Sequence, residues 1–278
     1  MHILITLLIS AYFLSDALFY FTFRITNWKG HLLSIASLAI IFFIVYPAFL
    51  WLSQSDMNFA IVGFMAIYFT LFYFFIFFLK PYFFLMTDKR FQSKNLEEVL
   101  SLKYFLSISG TNVKIYFKDK LRNNAYAYGG FNFFKAILFD KNLFETFSPT
   151  SRDAICLHEY AHLSQRHLIW RYIFFVVFLS SLYFLKLLSK SIIHHQLSLD
   201  ILFVFVMTIL LFPLMALLFK HQEHQADIFS AKLVGRDNYI KALHELNEAQ
   251  NGKMNNFSWT HPTLNQRIER VNSIVKFD

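Results

Sequence analysis

Residues 155–188 read ICLHEYAHLSQRHLIWRYIFFVVFLSSLYFLKLL, and the two halves of this stretch obey different rules. The first half is polar and sets His158 and His162 four residues apart. On a helix that spacing turns the chain by about 40° and raises it by about 6 Å, so both imidazoles share one face with a gap that suits a single Zn²⁺. Glu159 stands next to the first histidine, within reach of a water on such an ion. The second half, 169–188, is apolar and approaches the ~20 residues that a helix needs to cross a hydrocarbon core. A plainer reading of the first half is a polar helix whose histidines form hydrogen bonds at a membrane surface.

Working outward, the whole chain shares the character of the second half. Of its 278 residues 56% are hydrophobic and 20% aromatic. The mean hydropathy of +0.42 is well above that of an ordinary soluble domain. Apolar runs near 3–23, 32–53, 58–79, 169–188 and 199–219 each approach spanning length. The expectation is a mainly α integral membrane protein with about five transmembrane helices. The first run lacks a basic leading segment and stays apolar through SDALFYF, so it is read as a retained anchor and not as a secretory signal.

The formal charge of +8 is informative by location. Residues 87–167 carry twelve Lys and Arg against eight Asp and Glu, many near the ends of apolar runs, where basic residues mark the cytoplasmic side. That places this segment in the cytoplasm and the 189–200 turn on the outer side, where His194 and His195 read as solvated loop residues. A nucleic-acid partner is not expected, because the lysines are dispersed and no aromatic motif interleaves them. Cys156 is the only cysteine, so no intramolecular disulfide can form, and it reads as a packed helix residue.

Four regions follow: 1–86, an N-terminal transmembrane part of about three helices; 87–167, a first soluble part; 168–220, a transmembrane hairpin; and 221–278, a second soluble part. In the soluble parts LEEVLSLKYFLSIS has leucines at helical spacing, whereas VKIYFKD and KAILFDKNL are short and rich in β-branched and aromatic residues, as strands are. RNNAYAYGG between them suits a turn and a strand edge. Ser148 with Pro149 signals the start of a helix over about 149–167. FKHQEHQADIFSAKLVG reads as a second polar helix ending near Gly235, DNYIKALHELNEAQ as a third, and THPTLNQRIERVNSIV as a turn at Pro262 into a closing helix.

A hydrolytic zinc site needs three protein ligands and one open position. The third ligand must come from a segment that folds back, and HQEHQAD offers His221, Glu223, His224 and Asp227. Glu223 and Asp227 are i, i+4 partners, so one carboxylate could bind the ion while the other orients an imidazole. His221 or His224 as ligand is the alternative that spacing leaves open.

HEYAH at 158–162, EHQAD at 223–227 followed by IFSAKLVG, and THPTLNQRI at 260–268 together resemble the HtpX and CAAX-prenyl-protease family of integral-membrane zinc metallopeptidases. That family's pattern is HExxH, then ExxAD beyond a transmembrane hairpin, then HPxxxxR. All three parts stand in order here with no mismatch, and NAYAYGG at 124–130 resembles the family's NAFxxG strand beside the cleft. The resemblance covers about 85–275. It implies one Zn²⁺ held by His158, His162 and Glu223, with Glu159 as general base and Asp227 as a carboxylate behind the ligands. It also implies His261 as a hydrogen-bond donor in the transition state, Arg267 as the fastening of the last helix, and Asn124 and Ala125 as substrate contacts. The soluble parts would form a small cytoplasmic α+β zincin-like catalytic domain. The implied activity is endoproteolysis of misfolded or membrane proteins at the cytoplasmic face of a bacterial inner membrane. Rival tasks for the same site are BlaR-type signalling and CAAX-type peptide processing. A non-catalytic membrane scaffold is the rival outside enzymes, and the presence of Glu159 argues against it, since a purely structural zinc site has no use for a base.

Overall fold

The structure is a computed structural model that describes residues 67, 70, 71, 74–79, 81, 82, 85, 92–101, 112–119, 121, 123–131, 134–192 and 197–274. The three spans expected before residue 80 and the histidines at 194 and 195 lie outside the described residues, apart from a few positions after 66. Among the described residues, no helix is long and apolar enough to cross a membrane.

Four strands form one sheet in the order β1-β2-β4-β3, with β1 Gln92–Asn95, β2 Lys114–Lys118, β3 Ala125–Phe131 and β4 Phe134–Asp140. β2 and β4 run parallel, and the two outer strands pair antiparallel to them. Alternation sets the faces, as strand geometry requires. Ile115, Phe117, Ile137 and Phe139 enter the main core, while Tyr116, Ala136 and Leu138 pack a smaller cluster on the other side. β4 is thus covered on both faces, which suits the centre of a sheet.

Several elements differ from the sequence-based expectation. KAILFDKNL does not remain a strand to its end: Asp140 accepts hydrogen bonds from the backbone N–H groups of Asn142 and Leu143 and starts α2, Lys141–Thr146. AYAYGGF is a full seven-residue strand, bent by an irregularity between Gly129 and Phe131. Gly129 has φ +88°, and a β-carbon there would lie 2.1 Å from the Phe134 carbonyl oxygen, so the bend needs glycine. The polar QSKN is an edge strand that carries no apolar pattern, and its four residues are all exposed. LEEV forms the short helix α1, Leu96–Val99, whose first N–H, that of Leu96, bonds the Val113 carbonyl just before β2, while the expected helix from 102 onward lies outside the described residues.

The main core lies between the sheet and a helical layer. α3, Pro149–Ser164, starts at Ser148, whose hydroxyl accepts from Ser151 N–H, and buries Ala154, Ile155, Leu157 and Ala161. Cys156 is fully buried in the same helix, and burial pushes its thiol far up, so it is an inert packing residue. A two-residue turn separates α3 from α4, His167–Ile192. α5, Leu197–Val234, is one continuous 38-residue helix with Pro213 inside it, so the expected boundary between 220 and 221 falls within a single element. Gly235, at φ +93°, separates it from α6, Arg236–Ala249, and α7, Leu264–Ile274, closes the fold. α5 packs along α3 and also meets α4, α6 and α7.

Candidate metal centre and cleft

The i, i+4 geometry of α3 brings the imidazoles of His158 and His162 together, with their Nε2 atoms 3.3 Å apart. α5 crosses α3 so that the Glu223 carboxylate meets both: Oε2 lies 3.6 Å from His158 Nε2 and Oε1 lies 3.5 Å from His162 Nε2. One ligand atom from each of the three residues falls within 4.8 Å of the others. Two imidazole nitrogens and one carboxylate oxygen, buried and converging, form the donor set and compactness that Zn²⁺ takes in a hydrolytic site. His221 is exposed, and neither it nor His224, whose buried Nδ1 has no hydrogen-bond partner among the described residues, belongs to this cluster.

Behind His158 the polar groups form a closed network. Asp227, one turn after Glu223, places Oδ1 3.1 Å from His158 Nδ1. The Tyr239 hydroxyl, on α6, donates to Asp227 Oδ1 at 2.6 Å and lies 3.0 Å from His158 Nδ1. Arg267, on α7, donates through Nε to Asp227 Oδ2 at 3.0 Å and through Nη2 to Asp227 Oδ1 and the Tyr239 oxygen. Burial pushes the Asp227 carboxyl up, but the Arg267 charge and the His158 bond outweigh it and hold Asp227 well below the usual carboxylate range. Burial alone would lower His158; its bonds to Asp227 and Glu223 win and raise it to about 9. Glu223 is held low in the same way, by His162, His158 and His261 against burial. Sequence patterns supplied Asp227 and Arg267 here, whereas Tyr239 sits in a helix with no motif to mark it.

His162 has different company. Burial holds it well below the ordinary imidazole range, with Glu223 opposing. Its Nδ1 lies 2.8 Å from Nδ1 of His167, the first residue of α4. Arg171, one turn along α4, donates to Gln222 Oε1 at 2.6 Å, approaches Glu223 Oε1 at 3.7 Å and stacks over the Phe219 ring.

These groups open into a cavity of about 600 Å³. One wall carries His158, Glu159, His162 and Glu223; another is Asn124 with β3 from Ala125 to Gly129; a rim is formed by Met254, Asn256, Ser258 and His261. Glu159 faces this space, and burial, with Glu223 adding, raises its carboxyl above the ordinary range although His158 opposes. His261 is largely exposed, with Nδ1 3.3 Å from Glu223 Oε2, and its backbone N–H is held by the Ser258 hydroxyl. Asn124 and Ala125 line the cavity, and the Asn124 side chain accepts from Ala125 N–H, which shapes the start of β3. All nine residues singled out by sequence therefore border this cavity or the network behind it. Sequence reasoning missed Tyr239, His167, Gln222 and Arg171, which meet the site through contacts as distant as 81 residues for Tyr239 with His158 and 51 for Arg171 with Gln222.

The model of Peptidase family M48 matches residues 94–275, a span that runs from the start of the sheet through α7. The crystal structure of S. mikatae Ste24p superposes with a TM-score of 0.54 at 21% identity, over 86% of this chain and 64% of that chain, and so shares its fold. This chain thus spans just under two thirds of the length of that protein. No curated protein sequence matches it. HExxH on α3 converges with the Glu223 carboxylate on α5 in a cluster that could hold a metal ion, and the family model spans the elements that carry both: the chain belongs to peptidase family M48.

Proposed function

We propose that the chain is an integral-membrane endopeptidase that cuts misfolded or membrane proteins at the cytoplasmic membrane surface, with His158, His162 and Glu223 as zinc ligands and Glu159 as general base. The observation that carries it is the meeting of two imidazoles and a carboxylate beside the half-buried carboxylate of Glu159, in a cleft also lined by β3. Bound zinc would supply an acidified water and a Lewis acid for the scissile carbonyl. Glu159 takes the proton of the attacking water on its carboxylate and passes it to the departing amine, and its raised affinity for a proton suits both halves of that transfer. His261, at the rim, donates a hydrogen bond to the carbonyl oxygen as negative charge develops there. Asp227 accepts from His158 Nδ1–H and keeps its Nε2 turned to the ion, while Arg267 fixes Asp227.

β3 pairs only with β4 among the described strands, so its outer edge can take up an extended peptide by backbone pairing, with little choice of sequence. Folded segments cannot present such a strand, which favours unstructured substrates. The membrane setting rests on the five apolar runs and on the surface of α4 and α5, where Trp170, Ile173, Val177, Ile209, Leu210, Leu214 and Leu217 are exposed. So many exposed apolar side chains on one hairpin need a nonaqueous partner. The basic excess of 87–167 favours the cytoplasmic side for the cleft.

Purified protein should contain about one zinc per chain and cleave casein and a reconstituted membrane protein. Glu159→Gln should keep its zinc while kcat falls about 10²–10⁴-fold. Full activity in that variant removes the base from Glu159. Alkaline carbonate extraction should leave the chain in the membrane pellet, and its release into the supernatant rules out the membrane setting.

A further inference from the structure

We propose that His167 is a positioning residue that, with Gln165 and Gln225, selects the tautomer in which His162 can bind the metal. The inference rests on His162 as a zinc ligand and goes beyond it. His162 Nδ1 and His167 Nδ1 lie 2.8 Å apart, so one of the two nitrogens carries a proton and the other accepts it. On the far side of the second ring, His167 Nε2 lies 3.0 Å from Gln165 Oε1 and 3.1 Å from Gln225 Oε1. Two amide oxygens facing one nitrogen call for an N–H there. With its proton on Nε2, His167 offers a lone pair at Nδ1, and His162 must then place its own proton on Nδ1. That leaves the lone pair of His162 Nε2 pointing at His158 Nε2 and the Glu223 carboxylate, where the ion belongs.

The opposite arrangement fails on both sides. A proton on His167 Nδ1 would turn the Nε2 lone pair towards two oxygens, and it would force His162 to carry its proton on Nε2, where it blocks ligation. His167 is buried at 3% exposure, so water does not replace these bonds. Its carbonyl also accepts from Gln222 Nε2 at 3.4 Å, which ties the first turn of α4 to the helix that supplies Glu223. The relay therefore runs from the second imidazole to α5, the element that delivers the third ligand.

The test is zinc affinity of the full-length chain in detergent, stripped with chelator and titrated with Zn²⁺ against a chromophoric competitor. His167→Leu removes the acceptor, and affinity should fall about 10–100-fold, the usual loss when the partner of a ligating imidazole is deleted. His167→Asn keeps an oxygen near the Nδ1 position and should recover affinity to within a few-fold of the parent. The Gln165→Leu/Gln225→Leu double variant leaves the ring in place without its two oxygens, and it should bind more weakly than the parent. Cobalt(II) spectra should match the parent for His167→Asn and differ for His167→Leu. Parent-like affinity in His167→Leu overturns the proposal. So does an equal loss in the Leu and Asn variants when the metal-free melting temperatures of all forms agree. Should His167→Leu fail to fold, the Asn and double variants decide alone: weak binding in the first or parent-like binding in the second overturns the relay. His162→Ala serves as the reference, and parent-like zinc binding there would instead remove His162 from the ligand set.

Discussion

The two walls of the cavity are built from opposite materials. The metal wall is side-chain chemistry: α3, α5, α6 and α7 contribute His158, Glu223, Asp227, Tyr239 and Arg267, almost sealed from solvent and bonded to one another. The peptide wall is backbone: β3 offers the outer edge of a strand, and the 254–261 loop offers exposed groups such as His261 and Asn256. One wall holds charge in fixed positions, and the other, on the function proposed above, would receive chains of many sequences. The difference teaches that catalysis and substrate breadth have separate structural supports here, so they should respond to different perturbations.

Removing Arg267 strikes the metal wall hardest. Arg267→Leu strands the Asp227 carboxylate in a buried site, and zinc-free protein should lose about 3–5 kcal/mol of unfolding free energy, read from denaturant melts in detergent. A loss under 1 kcal/mol would mean that the network is not what holds α7. His261→Ala tests the rim and should lower kcat by about 10²–10³-fold with zinc content unchanged; a change confined to KM would move His261 to the peptide wall. Asp227→Asn should weaken zinc binding about 10–100-fold in a chelator competition while leaving KM for an extended peptide near the parent value.

Acid should separate the two imidazoles. In the zinc-free protein His158 holds a proton below about 9, because its bonds to Asp227 and Glu223 overcome burial, whereas His162 is neutral. The proton on His158 must leave before the ion can bind, so zinc affinity should fall as pH drops below about 9, by about tenfold per unit for a single proton. Flat affinity from pH 6 to 9 breaks that reading. The smallest effect belongs to the other wall: N-methylation of a substrate amide that pairs with β3 removes about 1 kcal/mol, so KM should rise about fivefold with kcat unchanged.

The same contrast explains what was legible in the sequence. HExxH and ExxAD are local helical spacings, and helix geometry converts such spacings into shared faces, which is why His158 with His162 and Glu223 with Asp227 could be paired beforehand. Ser148 and Pro149 marked the start of α3 for the same local reason. Tyr239 could not be read this way, since its bond to His158 crosses 81 residues and obeys no period. His167 was visible as a histidine, yet its role depends on Gln225, brought to it by the packing of α5. The peptide wall was least legible. Gln92–Asn95 carries no apolar alternation, and which strand ends a sheet is decided by pairings that no single strand encodes. Asp140 shows a local signal misread: a capping aspartate stopped β4 where composition alone ran on.

Glu223 has no hinge of its own. It rides on the same 38-residue helix as Val206 and Leu217, about 57 Å of rise at 1.5 Å per residue with Pro213 inside it. Sliding that helix by the rise of one residue would move the carboxylate about 1.5 Å relative to the two imidazoles. The third member of the cluster is therefore set by the axial position of α5 as a whole, and not by a local loop that could adjust independently.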